Sequence, residues 1–424
     1  MSWIRCTALS LISALYVLAG RWSFQRLASA NENPDPFQEP RLWLVMGGLV
    51  LGAMGLAHRA RGAARPGETR IDPWLLLSLL GFFGYMCTSA LWAPDPGFAL
   101  WKLYELVLVV VMTVGFGLAV LRQPAARVLA TFWAVIVGAT SLLALAGVLT
   151  LLSSGGSNAR LAVLGGGPNV FARLMGLFAL GCLFFWSRRG RAWLWIPMAA
   201  TGVILALLTG SRGGTASITA GILTFLVVGR IPLRRLAILA FLATTAVGVV
   251  ILFSPLGQAL NHAVEERFVR LTLKYDGGKS SETKVYLSGR EDLYAQGWRL
   301  GRDYPVSGAG LAAFPALGLG VYPHNLFLEV FCEGGVVGLL FLASVLLAFL
   351  RLALRRRHGM DGATVGAAVL ILIGSQSSGD LYDGRSLYLL MVLAACTSVA
   401  QQRAVPAAAP ATPCPAYPAV HGAT

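Results

Sequence analysis

The chain of 424 residues is 56% hydrophobic and only 12% charged. That is about half the charged share of a soluble domain, which excludes a soluble enzyme and reads as a polytopic membrane protein. Its net charge of +15 is scattered between apolar segments without a continuous basic patch, which argues against nucleic acid as a partner, and the six cysteines form neither a CxxC pair nor a Cys/His cluster, so neither a disulfide framework nor a metal site is indicated.

Apolar segments long enough to span a bilayer recur about twelve times: 4–20, 42–57, 73–92, 103–121, 128–152, 169–186, 193–209, 214–229, 236–254, 334–350, 363–379 and 386–400. The first lacks the small-residue end of a cleavable signal and reads as a retained anchor. With the N-terminus inside, eighteen of the 34 basic residues fall in inside loops, beginning at Arg5 and ending at Arg403. This alternation also puts the C-terminus inside. The expected division is therefore nine spans over 1–254, a large helical periplasmic loop over 255–333, three spans over 334–400, and a disordered cytoplasmic tail over 401–424. The run Trp92-Ala93-Pro94-Asp95-Pro96, with Trp101 and Tyr104, reads as interface anchoring.

Three outside stretches carry arginines against that charge bias. In the first, Arg160 precedes the glycine run Gly165-Gly166-Gly167, and Asn169 is placed to cap the helix that carries Arg173. In the second, Thr209-Gly210-Ser211-Arg212-Gly213-Gly214 turns a corner in which Ser211 caps the next helix. The free N–H groups of that helix point at the same spot as the Arg212 guanidinium. In the third, Ser288-Gly289-Arg290-Glu291 has capping-box spacing, with Ser288 as N-cap and Arg290 in the first turn. A cation beside the positive end of a helix dipole is disfavoured by up to about 1 kcal/mol, so an anion is expected to join it.

The stretch Tyr322-Pro323-His324-Asn325-Leu326-Phe327-Leu328-Glu329-Val330-Phe331-Cys332-Glu333 gathers a histidine, an asparagine and two carboxylates at the mouth of an apolar helix. Pro323 is a suitable opening residue, and helical spacing stacks Asn325, Glu329 and Glu333 one turn apart. Asp380 and Asp383, with Arg385, read as turn formers in the last outside turn. Arginine forks suit phosphate oxygens and a histidine suits proton transfer near neutral pH. Together they suit a lipid-linked phosphate or pyrophosphate substrate and a hydroxyl acceptor at the outer leaflet.

The Ser-Arg-Gly-Gly corner at Arg212, the Ser-Gly-Arg-x-x-Leu-Tyr helix at Arg290, and Pro305-x-x-Gly308-x-Gly310 occur in that order before His324-Asn-x-Phe-Leu-x-x-x-x-Glu333-x-Gly-x-x-Gly338. From about 155 to 345 the chain resembles the bacterial O-antigen ligase family and its relatives, the O-antigen polymerases and protein O-oligosaccharyltransferases. The resemblance implies a GT-C-like, metal-independent, inverting glycosyltransferase of the inner membrane that needs no cofactor. Its donor would be a polysaccharide on undecaprenyl diphosphate and its acceptor a lipid A–core sugar, with membrane lipids around the polyprenyl tail. His324 would be the base, Arg212, Arg290 and Arg160 the diphosphate clamp, and Glu333 or Asn325 a support for the histidine. A polymerase or protein-glycosylating enzyme of the same superfamily stays open, as does a lipid-linked glycan transporter. Against the transporter, few polar residues interrupt the spans.

Overall fold

The computed structural model describes residues 2–19, 36–59, 69, 72–121, 123–153, 161–163, 167–231, 273–274, 284–285, 290–356 and 359–401. Its helices are α1 (Ser2–Leu18), α2 (Pro40–Arg59), α3 (Pro73–Thr88), α4 (Pro96–Val120), α5 (Ala125–Ser153), α6 (Gly167–Arg189), α7 (Ala192–Leu208) and α8 (Arg212–Val228). They continue as α9 (Glu291–Asp303), the single turn α10 (Ala313–Ala316), α11 (Leu326–Arg355), α12 (Gly362–Gly374) and α13 (Arg385–Gln401). Eleven of the twelve expected spans coincide with a helix, and the ninth, 236–254, lies outside the described residues. Five helical segments are long and apolar enough to cross a membrane: Pro73–Trp92, Pro96–Val120, Ala125–Leu151, Gly167–Arg189 and Leu326–Arg355. The described elements are helical as expected, beside one two-residue ladder. Leu273–Lys274 and Lys284–Val285 form an antiparallel two-residue ladder (β1, β2) inside the long loop.

Local chemistry sets several helix starts. Asp72 accepts from Trp74 N and Leu75 N with Pro73 behind it, and Asp95 accepts from Gly97 N and Phe98 N with Pro96 behind it. Asp95 is therefore a helix cap, with Pro96 in the first turn. Tyr104 and Trp101 likewise serve the interior. The Tyr104 hydroxyl donates to Glu39 at 3.2 Å, and both rings flank Arg41, which is paired to Glu39 and Glu105.

Lipid tails are as apolar as leucine, so helices inside a bilayer associate through close packing, and small residues let their backbones approach. Here α8 and α12 pack glycine on glycine. A Cβ on Gly366 would lie 2.5 Å from the Gly221 carbonyl oxygen, and one on Gly221 would lie 2.9 Å from that of Gly366.

The tenth span departs most from expectation. Its helix does not open at Pro323 or at 334. It begins at Leu326, capped by the Asn325 side chain accepting from Leu328 N at 3.0 Å, and breaks at Gly335 (φ 61°, ψ −160°). A break inside an apolar helix strands backbone polar groups, which must find partners within the protein. The loop 305–310 supplies them. Ala309 N and Gly310 N donate to the carbonyls of Cys332 and Glu333, while Val336 N and Val337 N donate to those of Pro305 and Val306. Tyr85 closes the patch by donating to the Gly334 carbonyl at 2.9 Å. The Pro-x-x-Gly-x-Gly and Glu-x-Gly motifs are thus two halves of one joint.

Only glycine suits the backbone at Gly335, where a Cβ would also sit 2.3 Å from the Val306 carbonyl oxygen. Gly335→Ala is expected to cost at least the ~1–3 kcal/mol typical of such backbone positions. Gly84→Ala, in open space on α3, should be neutral in the same thermal unfolding measurement. Equal melting temperatures for the two variants would contradict the joint.

Candidate active site

Three segments converge on the turn that links α12 to α13. Its carbonyls at Ser375, Gln376 and Ser377 face the starts of α9 and α11. Leu326 N donates to Ser375 O at 3.0 Å, and Asn325 Nδ2 and the Tyr294 hydroxyl donate to Gln376 O at 3.2 and 3.4 Å. An Arg290 Nη1 hydrogen bond to the Ser377 carbonyl completes the row.

The other side of the turn presses on α8. A Cβ on Gly213 would fall 1.9 Å from Ser377 Oγ, so only glycine admits this approach beside Arg212. Ser211 caps α8 as expected, accepting from Gly214 N at 2.9 Å, and its hydroxyl donates to Asn169 Oδ1 at 2.6 Å. Gly213, next to Arg212, and Arg290, 78 positions from Arg212 in sequence, therefore approach the same residue, and both arginines are half-buried.

Two expected caps are corrected. The helix carrying Arg290 begins at Glu291, so Arg290 occupies the N-cap position itself, and Ser288 lies outside the described residues. The Ser377 carbonyl is the partially negative partner that this cation has within the protein. Asn169 does not cap α6, which starts at Gly167; it sits within the first turn and accepts from Ser211. Arg160 lies outside the described residues.

His324 is half-buried immediately before the cap of α11, in the left-handed region (φ 58°), with its ring edge-on to Tyr322 at 4.4 Å. Its Nδ1 is buried without a hydrogen-bond partner among the described residues. Burial lowers its pKa below the usual histidine value, and the Arg290 charge adds to that, while Asp380 and Asp383 oppose it. The imidazole is thereby biased toward its neutral, proton-accepting form. Asp380 and Asp383 build the turn as expected, with Asp383 N donating to Asp380 Oδ1 at 2.9 Å and Arg385 reaching Asp383 at 3.4 Å. Among the described residues no group of three or more His, Cys, Asp or Glu is placed to hold a metal ion.

Arg212, Arg290 and His324 all lie in the stretch, residues 197–343, that matches the O-antigen ligase family. The chain carries an O-antigen ligase family domain. No curated protein matches the sequence significantly. The match covers about a third of the chain, and five helices long and apolar enough to cross a membrane are consistent with a polytopic membrane protein. Members of that family are glycosyltransferase-like enzymes of O-antigen and glycan assembly.

The ligase-family domain leans on residues outside its own bounds. The turn at 375–384 is one. Arg173 is another: it is buried on α6, packed against Gly374, with Asp383, Arg385, Tyr322 and Asp380 in electrostatic range. The third, Lys102 on α4, has no counterpart among the expected site residues. Its ammonium is 2.5 Å from Glu329 and 2.6 Å from Glu333, and all three side chains are almost fully buried.

The expected supports of His324 are thus engaged elsewhere. Glu333 serves Lys102, and Asn325 serves the Leu328 N–H and the Gln376 carbonyl. A lysine inside a helix whose only other charge is Glu105 was the available signal, because a charge at that depth requires a partner.

Proposed function

We propose that the protein is an O-antigen ligase that transfers a polysaccharide from undecaprenyl diphosphate to a sugar hydroxyl of the lipid A–core. The observation that carries this reading is the approach of Arg290 and of Gly213, the neighbour of Arg212, to Ser377, with His324 within the field of Arg290. Two half-buried arginines, one bonded to the turn and one beside the glycine that packs against it, suit a diphosphate, whose charge grows as the glycosidic bond breaks.

In the proposed step the acceptor hydroxyl attacks the anomeric carbon and His324 takes its proton. The carbon–oxygen bond to the diphosphate breaks with inversion, and Arg212 and Arg290 stabilise the departing undecaprenyl diphosphate. Arg160 is a third candidate for the clamp. Arg173 and Asn169 hold the frame from α6, while Asn325 and Glu333 set the start of α11. Base and clamp are both supplied by side chains, so the reaction is proposed to proceed without metal or cofactor. The face bearing these groups is proposed to be periplasmic, with both termini in the cytoplasm, in keeping with the arginine-rich opposite loops. On this reading 255–333 is the periplasmic part of the site, between two groups of inner-membrane spans.

Binding of a polyprenyl-diphosphate glycan to purified variants tests the clamp. Arg290→Ala and Arg212→Ala are each expected to weaken donor binding by about ten- to a hundredfold, the worth of one charge-assisted hydrogen bond of ~1.5–3 kcal/mol. Arg290→Lys should recover little, since a point charge replaces a two-pronged fork. Unchanged donor affinity in both alanine variants would remove the arginines from the donor site.

A further inference from the structure

Four basic residues are buried among the described ones: Arg41, Lys102, Arg173 and Arg385. Three of them are committed. Arg41 is paired to Glu39 and Glu105, and Lys102 to Glu329 and Glu333. Arg385 donates to the carbonyls of Tyr16 and Ala19 and reaches Asp383 at 3.4 Å. Arg173 is the exception. It is 7% exposed, yet its guanidinium makes no hydrogen bond and no ion pair among the described residues. Asp383 and Asp380 are in electrostatic range, but Asp383 is taken by Arg385, and Asp380 Oδ1 accepts from Asp383 N. A guanidinium carries five N–H donors, and leaving such donors unmade in a buried setting is expensive.

The position of Arg173 gives those donors a use. It lies one turn along α6 from Asn169, whose Oδ1 accepts from the Ser211 cap beside Arg212, and residues four apart share a helix face. Long helical side chains lean toward the N-terminal end of their helix, here the end that meets this corner. The stem runs along the last residue of α12: a Cβ on Gly374 would lie 2.9 Å from Arg173 Cδ. Ser377 Oγ donates to the Gly374 carbonyl at 3.2 Å, and Ser377 is the residue that Arg290 and Gly213 approach. Tyr322, whose ring meets that of His324, is within electrostatic range of the guanidinium. No Arg173 nitrogen is sealed from the surface without a partner, so the small exposed part of the residue includes its charged head.

We infer that Arg173 is a third donor-binding residue, whose guanidinium contacts the diphosphate of the lipid-linked donor; this rests on the donor reading above. Diphosphate oxygens are the acceptors that the fold withholds, and they match the geometry of the fork. The empty protein then carries an unsatisfied buried cation, and donor binding satisfies it.

The test uses the full-length protein in detergent, with undecaprenyl diphosphate and inorganic pyrophosphate as probes. Arg173→Met keeps the stem against Gly374 and removes the fork. Without ligand this variant is expected to melt no lower than wild type, because the group it loses has no partner in the fold. Its affinity for undecaprenyl diphosphate is expected to fall about ten- to a hundredfold. A ligand-free variant that melts below wild type would make Arg173 a structural counter-charge of Asp380 and Asp383 and overturn the inference. Near-normal affinity in Arg173→Met beside weak binding in Arg290→Ala would overturn it too, with the donor reading left standing. Normal binding in both variants would remove that reading as well. Inorganic pyrophosphate that binds wild type as tightly as the lipid would assign Arg173 to a soluble anion, which also overturns the inference.

Discussion

His324→Ala is expected to lower the rate of glycan transfer by about 10²–10⁴-fold, the usual worth of general-base catalysis, while donor binding stays within a few-fold of wild type. The separation follows from geometry. The imidazole stands at the mouth of α11 beside Tyr322, whereas Arg290, bonded to the Ser377 carbonyl, and Arg212, beside the glycine packed on Ser377, are the residues proposed for the phosphates. Since a base must be unprotonated, wild-type transfer should fall as pH drops through the histidine's folded-state pKa. Burial and Arg290 hold that value below the usual 6.5, so the acidic limb should lie under pH 6.5. The same depression makes protonation of His324 a cost to the folded state once pH falls below the unfolded value. Transfer that persists in His324→Ala, or an acidic limb above pH 6.5, would remove the histidine from the base role.

Lys102→Met is expected to destabilise the protein by about 3–5 kcal/mol, the cost of leaving buried partners without their counter-charge. The substitution preserves the stem but abandons Glu329 and Glu333, each less than 3 Å from the ammonium and sealed from water. Their outer oxygens, Glu329 Oε2 and Glu333 Oε2, already lack hydrogen-bond partners among the described residues. Adding Glu329→Gln and Glu333→Gln to Lys102→Met should restore much of the loss, because neutral amides cost far less to bury than charges. Thermal unfolding of the three proteins in detergent decides it. A single variant as stable as wild type would show that the pair of carboxylates is neutral in the native state and needs no cation.

Local signals were read correctly where their partners lie a few residues away. Ser211 caps α8 because a serine three residues before a free N–H needs nothing else to do so. The Asp380–Asp383 turn is equally local. The start of α9 was misplaced by two residues, since a capping-box spacing does not say where neighbouring packing lets a helix begin. Pro323 misled for a related reason. The left-handed His324 and the Asn325 cap delay the helix to Leu326.

The break at Gly335 could not be read from its neighbourhood, because the groups that satisfy it come from 305–310 and from Tyr85, about 250 positions earlier in the chain. Lys102 and Glu329, 227 positions apart, show the same limit. Each was visible as a charge in apolar surroundings, but only the fold pairs them. The three residues proposed for the site lie within the family-matched stretch 197–343. The turn after α12 is reached by Arg290 itself and by the immediate neighbours of the other two, Gly213 and Asn325.

Lipopolysaccharide from cells lacking this protein, complemented with wild type or with His324→Ala, tests the proposed reaction most directly. Without activity the lipid A–core should carry no polymer, and long polymer should accumulate on undecaprenyl diphosphate; wild type should restore the capped form and His324→Ala should not. Core bearing a single repeat unit, with no long lipid-linked polymer, would contradict ligation and identify the reaction as polymerisation.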